Sequence, residues 1–261
     1  PETALADLID NSLAAGARKV DIRLDWRGGD PLVEVLDDGA GMGYERLVEA
    51  MRFGGEGPDA DRDDADLGRF GLGLKTASLS QCRELTVASR RDGSVARLAW
   101  DVDRVDDGWC ADAPETSPAG GLAAIFADTG DGTLISWNRM DRLGGLSGLD
   151  LDGFNDRVAS IRAHLAMTFH RFLSGEARRL AVNVNGLALT AWDPFCRHHD
   201  ATMVLPRDVI RGPEGSIGAR SYILPHRDRF DSERDWEEAG GPGGWVERQG
   251  FYVYRGERLV S

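Results

Sequence analysis

With 261 residues, 41% of them hydrophobic and 29% charged, the chain can bury the core of one large domain or of two moderate ones. No run of about 18 apolar residues occurs, which excludes a membrane-spanning helix, and no signal-peptide pattern opens the chain. The net charge of −13 is concentrated in the front: residues 1–149 carry 16 Lys and Arg against 28 Asp and Glu, residues 150–261 carry 15 against 16, so bulk electrostatics argue against direct nucleic-acid binding.

The chain opens at Pro1 without Met and enters a helical pattern at once, so further sequence upstream is expected. In residues 3–15, Leu5, Leu8, Ile9 and Leu13 follow helical spacing, with Thr3 placed to cap the start and Gly16 the end. Asp7 and Asn11 lie four apart on that helix and share a face. A carboxylate there can take a proton from an attacking water, and a carboxamide oxygen is a hard ligand suited to Mg²⁺; a solvated polar face is the plainer alternative.

Alternation in Val20, Ile22 and Leu24 and in residues 32–36 predicts two strands joined through the Gly28-Gly29 turn. The second runs into Asp37-Asp38-Gly39-Ala40-Gly41-Met42. A buried Asp needs a partner, for which a purine's exocyclic amino group is a natural donor, and glycines let a planar ligand approach the backbone. An ordinary Asp-Gly turn gives the same letters.

Residues 44–52 read as helix, and residues 54–66, glycine-rich and acidic, as an exposed mobile loop. Gly68-Arg69-Phe70-Gly71-Leu72-Gly73-Leu74-Lys75-Thr76 then leads into another helix, so its N–H groups offer an anion site. It is not a P-loop, because Leu74 separates Gly73 from Lys75, nor a G-x-G-x-x-G fingerprint. Strands are expected at 83–90, 94–102, 121–127 and 132–138, a long helix at 154–173 beyond the small-residue stretch 143–150, and short strands near 180–184, 218–224 and 249–260. Helices do not alternate one per strand, which favours an α+β sandwich over a doubly wound sheet.

In order, Asp7-x-x-x-Asn11, Asp37-x-Gly39-x-Gly41-Met42, Gly68-x-x-Gly71-x-Gly73 and Gly132-Thr133 resemble the N-box and the three glycine boxes of the GHKL ATPases, the superfamily of gyrase B, heat-shock chaperone, histidine kinase and MutL. The resemblance covers roughly the first 140 residues and implies a two-layer α/β sandwich, the Bergerat fold, over residues 1–145. It implies ATP and Mg²⁺ as ligands, with Asn11 on the metal, Asp37 on adenine N6, and Thr133 supporting Asp37. Ala15, Gly39, Gly41 and Met42 would line the base, while Gly68, Arg69, Phe70, Gly71, Leu72, Gly73, Leu74 and Lys75 would hold the phosphates. Residues 43–72 would form a lid. Residues 150–261, with RQGFYVYRGERLV at 248–260, resemble the ribosomal-S5-like transducer of the MutL and microrchidia branch, expected to be incomplete at its C-terminal end.

That branch uses a transducer Lys at the γ-phosphate, and residues 150–261 contain none, leaving a Lys further on, Arg255 or Arg258. The usual Glu base is Asp7 here, and Ala14 stands where an acidic residue often follows the N-box Asn. The implied activity is slow Mg²⁺-dependent ATP hydrolysis, with lid closure and ATP-dependent homodimerisation driving a larger machine of further domains or protein partners. The alternative is a nucleotide switch with negligible hydrolysis; a histidine kinase is disfavoured because no phosphoacceptor helix pair precedes Asp7. Three scattered cysteines, Cys82, Cys110 and Cys196, fit a reducing, cytoplasmic setting. Cys196, His198, His199 and Asp200 are too crowded for a common zinc pattern and read as a surface turn.

Overall fold

Leu5, Leu8 and Ile9 are fully buried on one side of α1 (Glu2–Ala14), as their spacing requires. The helix starts one residue before the expected Thr3, with Pro1 at the cap position, and Gly16 follows its end at φ +77°, a left-handed conformation that glycine adopts without a Cβ penalty. The computed structural model describes residues 1–52, 73–107, 126, 130–141, 143, 148–174, 179–213, 215–241 and 243–260.

After α1 come β1 (Lys19–Asp25), β2 (Leu32–Asp37), α2 (Tyr44–Met51), α3 (Gly73–Leu79), β3 (Cys82–Arg91), β4 (Ser94–Asp101), β5 (Gly132–Met140), α4 (Leu151–Thr168), α5 (His170–Leu173), β6 (Ala181–Val184) and β7 (Leu187–Ala188). The seven strands make one sheet in the order β4-β3-β5-β2-β1-β6-β7, antiparallel except for β1 beside β6. The helices α1, α3 and α4 share one apolar core with its strands. This is a mixed α+β architecture with helices against a large sheet. The strand expected at 121–127 lies almost wholly outside the described residues.

Cross-strand register explains the core. Residues directly opposite in an antiparallel pair point to the same face. On the helix side this gives successive rungs Leu24-Val33-Trp137-Leu85 and Ile22-Val35-Ile135-Val87, every member at most 5% exposed. Each such fully buried Leu, Ile or Val contributes roughly 1.5–3 kcal/mol. The next rung, Val20-Asp37-Thr133-Ser89, stays equally inward but turns polar.

The sheet continues past the division expected at residues 145–150. Lys19 to Ile22 of β1 pair with Ala181 to Val184 of β6, and Phe154, Ile161 and Leu165 of α4 join the core beside α1. Beyond β7, the chain forms short pieces: β8 (Met203–Val204), β9 (Asp208–Gly212), β10 (Gly215–Ala219), β11 (Tyr222–Ile223), α6 (Glu233–Gly240), α7 (Gly244–Glu247), β12 (Tyr254–Arg255) and β13 (Arg258–Leu259). Rings join them, with Phe195 stacked on Tyr222 at 4.3 Å and edge-on to Tyr252 at 5.2 Å. No helix among the described residues is long and apolar enough to cross a membrane.

Candidate functional site

The polar rung organises the site. Asp37 ends β2 at an inward position, so its carboxylate is buried, and it needs donors that the strand ladder cannot supply. Ser12 Oγ of α1 donates to Oδ2 at 2.9 Å and Gly39 N donates to Oδ1 at 2.9 Å. Burial raises the Asp37 pKa, opposed by these two hydrogen bonds and by one from the Thr133 backbone. Each carboxylate oxygen has two acceptor directions, so capacity remains for a further donor.

Thr133 lies opposite Asp37 across β2 and β5, and its Oγ1 is 2.8 Å from Ser89 Oγ. Met42 N donates to the same Ser89 Oγ at 2.8 Å. The loop after Asp37 is thereby stitched to β3. It is also stitched to α1, because Ala40 N donates to Ala15 O at 2.9 Å and Arg18 N and Lys19 N donate to Asp38 Oδ1. The glycines here are required by space. A Cβ on Gly39 would lie 2.9 Å from both Ala15 Cβ and Asp37 Oδ1; on Gly41, at φ +62°, it would lie 1.8 Å from Arg90 O. Asp37, Gly39, Gly41, Met42, Ala15 and Thr133 thus come together in one place.

Asp7 and Asn11 lie on the half-buried side of α1, one turn apart. Burial raises the Asp7 pKa, and the Arg258 guanidinium, 3.8 Å from Asp7 Oδ1, opposes that rise. Asp10, between them in sequence, is buried, and the same two causes, with the repulsion of Asp7 added, leave it at about 7.

Of the expected phosphate loop, Gly68, Arg69, Phe70, Gly71 and Leu72 lie outside the described residues, as does 53–72 of the expected lid. Gly73 and Leu74 begin α3. Lys75 is buried, with its ammonium donating to the Arg52 carbonyl at the end of α2, and burial lowers its pKa. Neither Ser12 nor Ser89 stands out in the sequence. The signal for Ser89 is that it continues the inward alternation of Leu85 and Val87; for Ser12, that it falls on the apolar side of α1, four residues after Leu8. Cys196 to Asp200 form turns in which Thr202 Oγ1 donates to Cys196 O and His199 packs on Phe230.

A family model described as histidine kinase-, DNA gyrase B- and HSP90-like ATPase matches residues 1–130. The chain is 33% identical over 98 residues to ATPase morc-1 of Caenorhabditis elegans, an alignment covering 38% of this chain and 11% of that protein. It is 38% identical over 92 residues to the DNA mismatch repair protein MutL of Shewanella loihica, covering 34% and 14%. Against the putative MutL protein homolog 1 of Schizosaccharomyces pombe it is 34% identical over 121 residues, covering 46% and 17%. The chain therefore spans under a fifth of the length of these relatives.

Proposed function

Because the chain belongs, through residues 1–130, to the histidine kinase-, DNA gyrase B- and HSP90-like ATPases, in the branch of MutL and the microrchidia ATPases, we propose that it binds ATP at the polar rung and hydrolyses it slowly with Mg²⁺. One observation carries this reading. A buried carboxylate with unused acceptor capacity, Asp37, is followed by Gly39 and Gly41, which pack tightly on Ala15 and Arg90 and fix the loop beside it, and a held acceptor is what a ligand with an amino edge needs.

Asp37 accepts from the adenine amino group, Thr133 and Ser89 hold the floor beside it, and Ala15, Gly39, Gly41 and Met42 line the base. The stretch Gly68, Arg69, Phe70, Gly71, Leu72, Gly73 and Leu74 supplies backbone donors to the phosphates, with Lys75 as the cation. Asn11 would hold Mg²⁺, and the ion would supply neutralisation of phosphate charge. Asp7 is the general base: one carboxylate oxygen takes the proton from the attacking water, and partial burial favours that by raising its proton affinity. Closure of residues 43–72 over the nucleotide, dimerisation, and transmission through a transducer-like region beyond the sheet complete the reading, and operate a larger machine with further domains or partners.

One observation favours the second reading, a switch with negligible hydrolysis: Asp7 is a methylene shorter than the Glu usual at this position in the family. Phosphate release by the purified chain separates the two. Hydrolysis that Asp7→Asn abolishes while ATP still binds supports the ATPase; tight ATP binding with no phosphate release from either protein supports the switch.

A further inference from the structure

A hairpin from the far end of the chain docks beside α4 and α5 and reaches the Asp7 side of α1 through Arg258. In β12 and β13, Leu259 is 5% exposed, Tyr254 Oη lies 2.8 Å from the Nε2 of the buried His170, and the Arg171 guanidinium covers the Tyr254 ring at 3.5 Å. Glu257 pairs with Arg179 across the same seam. From this anchored hairpin Arg258 reaches into α1. Its Nε lies 2.7 Å from Asp10 Oδ2 and its Nη2 3.8 Å from Asp7 Oδ1. The guanidinium is held from behind, since Nη1 donates to Leu259 O at 3.0 Å and the Phe169 ring lies 5.7 Å away.

Asp7 and Asp10 are three residues apart and therefore neighbours on the helix surface, where like charges repel. Asp10 is buried and its Oδ1 has no hydrogen-bond partner among the described residues, and the charged group set against its Oδ2 is the Arg258 guanidinium. The shared arginine is what lets both carboxylates occupy one turn of α1.

We propose that Arg258 is a positioning residue for water activation: by sharing its charge between Asp10 and Asp7 it holds the Asp7 carboxylate in place, so hydrolysis depends on the docked hairpin. This rests on the reading of Asp7 as the base and adds a residue outside the matched family region. Without Arg258, the half-exposed Asp7 side chain turns into solvent, away from Asp10. A displacement of about 1 Å at a reacting group costs on the order of a hundredfold in rate, so turnover falls while nucleotide affinity holds.

The test compares phosphate release and ATP affinity for the whole chain carrying Arg258→Met, Arg258→Lys, Asp10→Asn combined with Arg258→Met, and Asp7→Asn, each first checked for cooperative unfolding. The inference expects Arg258→Met to lower kcat by about tenfold or more with ATP affinity nearly unchanged. It expects Arg258→Lys to recover part of the rate, and the double variant to exceed Arg258→Met because the repulsion is gone. Arg258→Met at parental kcat, with Asp7→Asn inactive, overturns the inference and leaves the base intact. Loss of ATP affinity matching the loss of kcat also overturns it. Asp7→Asn at the parental rate overturns the base reading itself.

Discussion

Thr133 stands directly across the β2–β5 ladder from Asp37, and its hydroxyl is tied at 2.8 Å to Ser89, which also receives the Met42 amide. Ser89 is fully buried, so Ser89→Ala leaves the Thr133 hydroxyl and the Met42 N–H short of a partner. Leaving a buried polar group unsatisfied costs about 1–3 kcal/mol. Urea unfolding of Ser89→Ala is expected to show a loss of that order together with weaker ATP binding. Unchanged stability and unchanged affinity would separate Ser89 from the site.

Two glycines in one loop give opposite expectations. Gly41→Ala must place a methyl 1.8 Å from a backbone carbonyl at φ +62°, so the loop has to move. Gly43, two residues on, has nothing within 4 Å of its Cβ position and no positive φ. Strained backbone of this kind costs on the order of 1–3 kcal/mol, so Gly41→Ala is expected to lose stability and ATP binding together while Gly43→Ala stays close to the parent. Urea unfolding and ATP titration of both variants check this contrast.

His170 makes stability pH-dependent. Burial pushes its pKa well below the ordinary imidazole range, with the Asp193 carboxylate 3.8 Å away opposing only part of that shift. Below about pH 6.5 the unfolded chain therefore binds a proton that the native one refuses. The native state loses up to about 1.4 kcal/mol per pH unit from this group as pH falls, until the native imidazole itself titrates. Asp7, Asp10 and Asp37, all raised by burial, slope the other way, losing their contribution as pH rises. The difference between the parent and His170→Gln isolates the histidine: on going from pH 7 to pH 5 the urea midpoint should fall less, or rise more, in the variant than in the parent, and identical changes in the two proteins would exclude the effect.

Asp7 as base sets a direction for its longer homologue. Glu adds one C–C bond, about 1.5 Å of reach, and proton transfer needs heavy atoms within roughly 3.2 Å or one relaying water. General-base catalysis contributes about 10²- to 10⁴-fold, so an imperfect base leaves slow turnover. Asp7→Glu is expected to retain or raise kcat in phosphate-release kinetics. A fall below Asp7→Asn would place the proton acceptor elsewhere.

Periodicity made the first half of the fold legible: Leu5, Leu8 and Ile9 for α1, and the alternation ending at Asp37 for β2. The residues that the proposal assigns to the base were legible as a cluster too, because acid and glycines sit within six positions of chain, from Asp37 to Met42. Three things were not. Ser12 reaches Asp37 only through helix packing, and Ser89 reaches Thr133 and Met42 only through strand register, relations 25 or more residues apart in sequence. Arg258 meets Asp10 across nearly the whole chain. The four-residue β6 carries too little pattern to show that it extends the first sheet, since parallel pairing with β1 is a long-range property.

Calorimetric titration of ATP and GTP into the parent and into Asp37→Asn decides whether Asp37 forms an adenine pocket. A guanine O6 cannot donate to the carboxylate, and a hydrogen bond to a charged group is worth about 1.5–3 kcal/mol. ATP is expected to bind at least about tenfold more tightly than GTP, and Asp37→Asn to lose at least about tenfold in ATP affinity. Equal affinity for the two nucleotides, or an Asp37→Asn protein that binds ATP like the parent, would contradict it.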